Sequence, residues 1–384
     1  MQRYRIGRVV ASAVGVLALV TAAGCSSGGT ASSSADPAAS AASEPFRQSV
    51  TQLIDALKQN PTATPPADGP TAAPGKKIAI VAITETDAGA LQVLRGMQEA
   101  TEAIGWQQTT YNANGNQADA NRFMQQAATT QPDAIVVLGL NNTQTGSGLA
   151  AAAARQIPVA CVACWDESQP DGLGAYAVVE PPRSTFSKLG YADAAYAFEA
   201  TGGSPAFLTF NDTSLSNLSA RQEGFDRFIG ECTAAGGACS VVAGHKFQVS
   251  ETTTGLAGQA AAVAQANPRF NVVWTSFDNA GVYVMTGLRQ AGKATSSGFL
   301  ISANGDPANL DVIEKGGYQK ATVAMGGAWL GWGVLDNLNR HLAGQPNVVQ
   351  NVPLRLFDSS NIAEAAGWDG GIDFRAQYKK VWGR

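Results

Sequence analysis

From Lys77 onward, short unbroken apolar runs alternate with longer stretches in which apolar residues return every three or four positions. The first run, Lys77-Ile-Ala-Ile-Val-Ala-Ile-Thr84, is long, rich in β-branched residues and closed by polar ones, the pattern of a strand buried on both faces. Glu85-Thr-Asp87 follows, and Leu91, Leu94, Met97, Ala100 and Ile104 then recur at helical spacing up to a stop at Gly105. The same reading predicts strands over 107–114, 133–139, 157–164 and 176–179, with helices over 117–129 and 149–156 between them. After Glu180-Pro-Pro182 the pattern restarts. Helices are predicted over 186–200, 218–229, 256–266 and 282–290, and strands over 205–210, 240–243, 271–276 and 298–303. A short strand at 321–325, a helix at 329–342 and a strand at 352–357 complete the body.

Two successive βα arrays imply an α/β protein of two similar lobes, each with one parallel sheet. If the late strand–helix pair returns to the first lobe, the chain crosses near Glu180, Met325 and Val352, and three crossings make a hinge. The expected bounds are 76–181 with 326–352 for the N-terminal lobe, and 182–325 with 353–384 for the C-terminal one. Ligands of open α/β sheets bind beyond the carboxyl ends of the strands, so the polar residues there are the candidates.

The N-terminus has a different pattern. Arg3, Arg5 and Arg8 precede an apolar run from Val9 to Val20 and then Thr21-Ala-Ala-Gly-Cys25, which reads as an export signal over 1–24. The end of this stretch resembles a bacterial lipobox, although Ala22 stands where Leu or Val is usual; the resemblance implies acylation of Cys25 and a protein held on the outer face of the cytoplasmic membrane. Residues 25–75 are expected to form a flexible tether, with a short helix at 46–58 that either docks on the body or extends the stalk. No run of roughly 20 apolar residues interrupts the body, which excludes a multi-span membrane protein. Net charge is −4 with 15% charged residues, a balance that offers nothing to nucleic acid. Cys161, Cys164, Cys232 and Cys239 are open to three fates: local disulfides, with Cys232–Cys239 favoured by spacing, a zinc site at Cys161-Val-Ala-Cys164, or free thiols. Zinc would need a second ligand pair, and His245 and His341 are the only histidines. No cofactor or metal is therefore expected.

Several stretches together resemble the type I periplasmic binding proteins of the ribose/LacI-like branch, the receptors of sugar-type ABC importers. They are Lys77-Ile-Ala-Ile-Val-Ala-Ile with Gly96, Pro132-Asp-Ala-Ile-Val-Val-Leu, Arg221-Gln-Glu-Gly-Phe225, Phe277-Asp-Asn-Ala-Gly281, Ile301-Ser-Ala-Asn-Gly-Asp306, Gly317 with Ala321-Thr-Val-Ala, and Tyr378-Lys-Lys-Val-Trp-Gly383. The resemblance covers residues from about Lys76 to the C-terminus and implies two lobes closing over a ligand. It also implies a monomeric lipoprotein that hands a small solute, a sugar or polyol, to a membrane permease. This chain departs from the pattern where sugar-stacking aromatics are usual (Gly89 and Ala90), and at Ala163-Cys164, Ser219, Phe277 and Asn304.

Strand-end residues give the expected ligand set: Glu85, Asp87, Asn141, Trp165, Asp166, Phe277, Asp278, Asn304 and Trp329. Helix capping competes as a role for Asp87 and Asp278, core packing for Trp165, and a hinge role for Trp329. Arg221 reads as a structural clamp. An enzyme is not expected: Gly172-Leu-Gly174 lacks the third glycine of a dinucleotide turn, and no Gly-x-Ser-x-Gly elbow occurs. The alternatives are a sensor component with the same closure, or a receptor for a polyol, nucleoside or amino-acid-like solute.

Overall fold

The computed structural model describes residues 42–169, 171–293 and 298–384; Cys25 and the export signal lie outside them. In chain order the elements are α1 (Glu44–Lys58), β1 (Lys77–Ala82), α2 (Ala88–Ile104), β2 (Gln107–Asn112), α3 (Gln117–Thr129), β3 (Ala134–Leu138), α4 (Asn142–Ala153), β4 (Val159–Val162) and β5 (Val178–Glu180). Then come α5 (Arg183–Ala200), β6 (Ala206–Asn211), α6 (Ser216–Ala234), β7 (Ser240–Lys246), α7 (Leu256–Ala266), β8 (Val272–Thr275), α8 (Asp278–Gln290) and β9 (Phe299–Asn304). The chain closes with α9 (Pro307–Glu314), β10 (Gln319–Met325), α10 (Gly327–Leu342), β11 (Leu354–Asp358) and α11 (Phe374–Val381).

The expected α/β class with two parallel-dominated sheets is what forms. One sheet has the order β2-β1-β3-β4-β5 and is parallel throughout; the other runs β11-β10-β9-β8-β6-β7, with only the β10–β11 pair antiparallel. Beyond Lys77, β1, β3 and β4 are apolar because their alternate residues pack into two cores. The chain passes between the sheets after β5, after β10 and before β11, since α10 packs on α2 and β5 of the first sheet. Helices α9 and α11 have no counterpart in the sequence reading, whose apolar period is too short there to separate a two-turn helix from a loop.

Residues 42–75, expected as part of the tether, lie along the body. Ile54 of α1 is fully buried, Phe46 meets Phe198 edge-on at 5.4 Å, and Lys58 pairs with Asp358 at 2.8 Å. Beyond α1 the proline-rich stretch is held by side chains of the body. Asn339 Nδ2 donates to Pro70 O at 3.0 Å, and Trp106 Nε1 donates to Ala73 O at 2.7 Å. The backbone of this stretch also donates to the body, Ala72 N to Trp382 O at 3.0 Å and Ala73 N to Asn339 Oδ1 at 3.1 Å.

Among the described residues two disulfides are formed, Cys232–Cys239 and Cys161–Cys164. The second closes the zinc and free-thiol alternatives, since both sulfurs are consumed.

Candidate functional site

Helices α5 and α6 approach so closely that a Cβ on Gly190 would lie 1.9 Å from Arg221 O, and one on Gly224 would lie 1.8 Å from Ser187 O. This contact places Arg221, on α6, under the carboxyl ends of β8 and β9. Its Nη1 donates to Ser276 O at 2.5 Å and its Nη2 to Asn304 Oδ1 at 2.8 Å, with the guanidinium 5.3 Å from the Phe186 ring. Nε is buried and unpaired.

Above Arg221 lies a cavity of ≈ 340 Å³ bordered by the strand ends of both sheets. The first sheet contributes Thr84, Thr86 and Asp87 after β1 and Asn114 after β2; the second contributes Asn217, Ser250, Thr252, Asn279 and Asn304. Apolar walls come from Ile83, Phe186, Leu218, Phe277 and Leu330. The rims meet: a Cβ on Gly115 would lie 3.4 Å from Ser250 Cα, and Gln144 Nε2 reaches Ser214 O at 3.5 Å.

Electrostatics in this region centre on one cation. Arg221 faces Asp87, Asp193, Asp278 and Asp306, and burial lowers its pKa while the four carboxyls raise it. Asp87 caps α2 through Oδ1, which accepts from Ala90 N at 2.9 Å, so its capping role and its place on the cavity wall are compatible. Its Oδ2 is buried without a partner, and burial pushes the carboxyl's pKa up against the pull of the Ala90 N–H and Arg221. Burial likewise holds Asp193 and Asp306 well above the usual carboxylate range.

Of the sequence candidates, Asp87, Phe277 and Asn304 border this cavity. Glu85 lies one residue off the rim and accepts from Asn112 at 3.4 Å. Asn141 caps α4, receiving Thr143 Oγ1 at 3.1 Å, while its N–H donates to Gln144 Oε1. Asp278 turns into the protein, where its carboxylate accepts from Gly305 N, Asp306 N, Thr322, Gln319 and Ser302. Trp329 donates Nε1 to Gln350 O and stacks on Phe374 of α11, 5.2 Å between centroids. Trp165 backs onto Phe186 from outside the cavity, and Asp166 is engaged by Ser168.

Sequence reasoning passed over Asn114, Asn217, Ser250, Thr252 and Asn279, and gave Arg221 a clamp's role only. The strand-end rule applied to β2 and β7 points towards Asn114 and Ser250; the apolar run over Ser240–Ala243 marks only the opening of β7, which continues to Lys246.

A family model described as a periplasmic binding protein domain matches residues 78–346. The chain belongs to the periplasmic binding protein family. It is accordingly a binding protein and not an enzyme, of an extracytoplasmic class. No curated protein matches the sequence. Among solved structures, an ABC transporter solute-binding protein from Agrobacterium vitis with bound allitol matches at TM-score 0.65 and 18% identity, over 76% of this chain and 98% of that one. A sugar ABC transporter protein from Yersinia enterocolitica matches at TM-score 0.68 and 16% identity, over 80% and 95%. A Mycobacterium smegmatis protein in complex with β-D-fucofuranose matches at TM-score 0.65 and 16% identity, over 81% and 98%. At these identities the likeness is one of fold. Among the described residues no helix is long and apolar enough to cross a membrane, and no cluster of His, Cys, Asp and Glu could hold a metal ion.

Proposed function

We propose that this periplasmic binding protein captures a small, uncharged, polyhydroxylated solute, a sugar or polyol, and delivers it to the permease of an ABC importer. The observation that carries the reading is the cavity between the two sheets. It has room for a solute of that size, and it carries an unpaired buried acceptor, Asp87 Oδ2, together with an unpaired buried donor, Arg221 Nε. Leaving such atoms unpaired costs about 1–3 kcal/mol each, a cost that hydroxyls of a ligand remove. Asn114, Asn217, Asn279 and Asn304 add neutral amides able both to donate and to accept, which suits hydroxyls better than a charged solute. Phe277 and Phe186 supply faces for the solute's carbon skeleton in the absence of aromatics at Gly89 and Ala90. The sugars and polyol bound by proteins of the same fold are in keeping with this class.

The working unit in this reading is a pair of lobes, 76–181 with 326–352 and 182–325 with 353–384, closing about the three connecting segments. The mature chain is a monomer held by an acylated Cys25, with the tether reduced to the residues before α1. A thermal-shift screen of the exported chain against sugars, polyols, nucleosides and amino acids tests the solute class. Solute at a hundred times its Kd adds about 2.7 kcal/mol of stability; hits confined to nucleosides or amino acids would overturn the carbohydrate assignment.

A further inference from the structure

A second cavity, of ≈ 690 Å³, opens on the far side of the Trp165–Phe186 contact, beside the segments that pass between the sheets. Trp165, Glu167, Asp171, Glu180, Arg183 and Asn347 border it. Two of these are almost wholly buried and each carries an unpaired polar atom, the Trp165 indole N–H and Glu180 Oε2. The other Glu180 oxygen accepts from Asn337 Nδ2 at 2.7 Å, so Oε2 alone is without a partner. Charge on the wall is unbalanced: Glu167, Asp171 and Glu180 face a single cation, Arg183, whose guanidinium is already taken up by both oxygens of Glu223.

We propose that this second cavity binds a small organic cation, an alkylammonium group whose charge meets Glu180 while its alkyl chain lies along Trp165. An ammonium supplies the donor Glu180 Oε2 lacks, and unlike a metal ion it brings apolar surface to the indole. Burial, opposed by the Asn337 amide and helped by Asp336 on α10, raises the Glu180 pKa to about 8. Of the other charged groups in this region, Arg340 is engaged by Asp336 and Tyr378 is held neutral by burial, and among the described residues no cation pairs with Glu180. Binding therefore tightens as pH rises through about 8, when the carboxyl ionises.

The test is a titration of the exported chain with n-butylammonium chloride at pH 8.5, read on the Trp165 indole N–H resonance, assigned through Trp165→Phe. The expected result is a saturable shift that weakens at least tenfold in Glu180→Gln, persists in Asp87→Asn and does not occur with 1-butanol. No saturable shift, an equal response to 1-butanol, or an unchanged affinity in Glu180→Gln would overturn the site. Loss of the response in Asp87→Asn would assign the cation to the first cavity and overturn it too. Should Glu180→Gln fail to fold, the comparison of butylammonium with butanol on the wild-type chain still decides.

Discussion

Gly89, in the first turn of α2, lies so close to Asn304 at the end of β9 that a Cβ added there would meet Asn304 Nδ2 at 2.5 Å. Helix α2 follows β1 of the first sheet and β9 belongs to the second, and Asn304 cannot swing away freely because its Oδ1 is held by Arg221. Asn304 also has φ 142, a backbone region that a side chain adopts only under constraint. A side chain at position 89 therefore has no room beside Asn304 in this structure.

Gly89→Ala is expected to weaken solute binding at least tenfold by calorimetry while leaving the fold intact. Its helical position tolerates a side chain: Gly→Ala in a helix contributes roughly 0.5–1 kcal/mol of stability. A variant that bound normally would remove the Gly89–Asn304 contact from the mechanism of closure.

Arg221 should behave differently from Asp87. Arg221→Met leaves Asp193, Asp278 and Asp306 without their shared cation in a buried region, and breaking such a set costs about 3–5 kcal/mol. Asp87→Asn keeps an oxygen for the Ala90 N–H, so urea unfolding should register a change of less than about 1 kcal/mol, with the loss confined to binding. Equal destabilisation by both would contradict the reading that Arg221 holds the fold together while Asp87 does not.

Glu180 gives stability a definite pH dependence. Its folded pKa of about 8 lies above the unfolded value near 4.5, so the folded state binds the proton more tightly. The contribution is full below about pH 4.5 and is lost as pH rises towards 8, by up to about 1.4 kcal/mol per pH unit. Asp87, Asp193 and Asp306 are raised too and add slope of the same sign. The difference between wild type and Glu180→Gln isolates the one group: Glu180→Gln should gain stability relative to wild type from pH 5 to pH 8. A constant difference across that range would refute the assignment.

The docked N-terminal segment predicts a stability effect far from the cavity. Ile54→Ala removes a fully buried side chain between α1 and the body and should cost about 2–5 kcal/mol. A chain starting at Lys76 should melt lower than one starting at Ala42; identical melting would mean that α1 does not dock in solution.

Much of this was legible in the sequence because strand and helix periods are local. The helix over Gln117–Thr129 and the helix over Leu256–Ala266 emerge at the predicted bounds, β1 starts at Lys77 as predicted and ends two residues before Thr84, and Asp87, Phe277 and Asn304, picked as strand-end residues, border the cavity. The candidates that border no part of the cavity share a different cause. Asp278 finds its donors on β9, β10 and the loop after β9, and Trp329 finds its partners at Gln350 and Phe374, all set by tertiary packing that no local period encodes. Arg221 was undervalued for the same reason, since its neighbours Phe186, Ser276 and Asn304 converge from three separate parts of the chain.

One measurement bears most directly on capture between the sheets: calorimetric titration of the best sugar or polyol hit into wild-type, Asp87→Asn and Asn304→Ala proteins, with scattering profiles recorded with and without solute. One solute per chain, a tenfold or greater loss of affinity in both variants, and a more compact wild-type envelope on binding are predicted. Undiminished affinity in both variants, with an envelope indifferent to solute, would contradict the account.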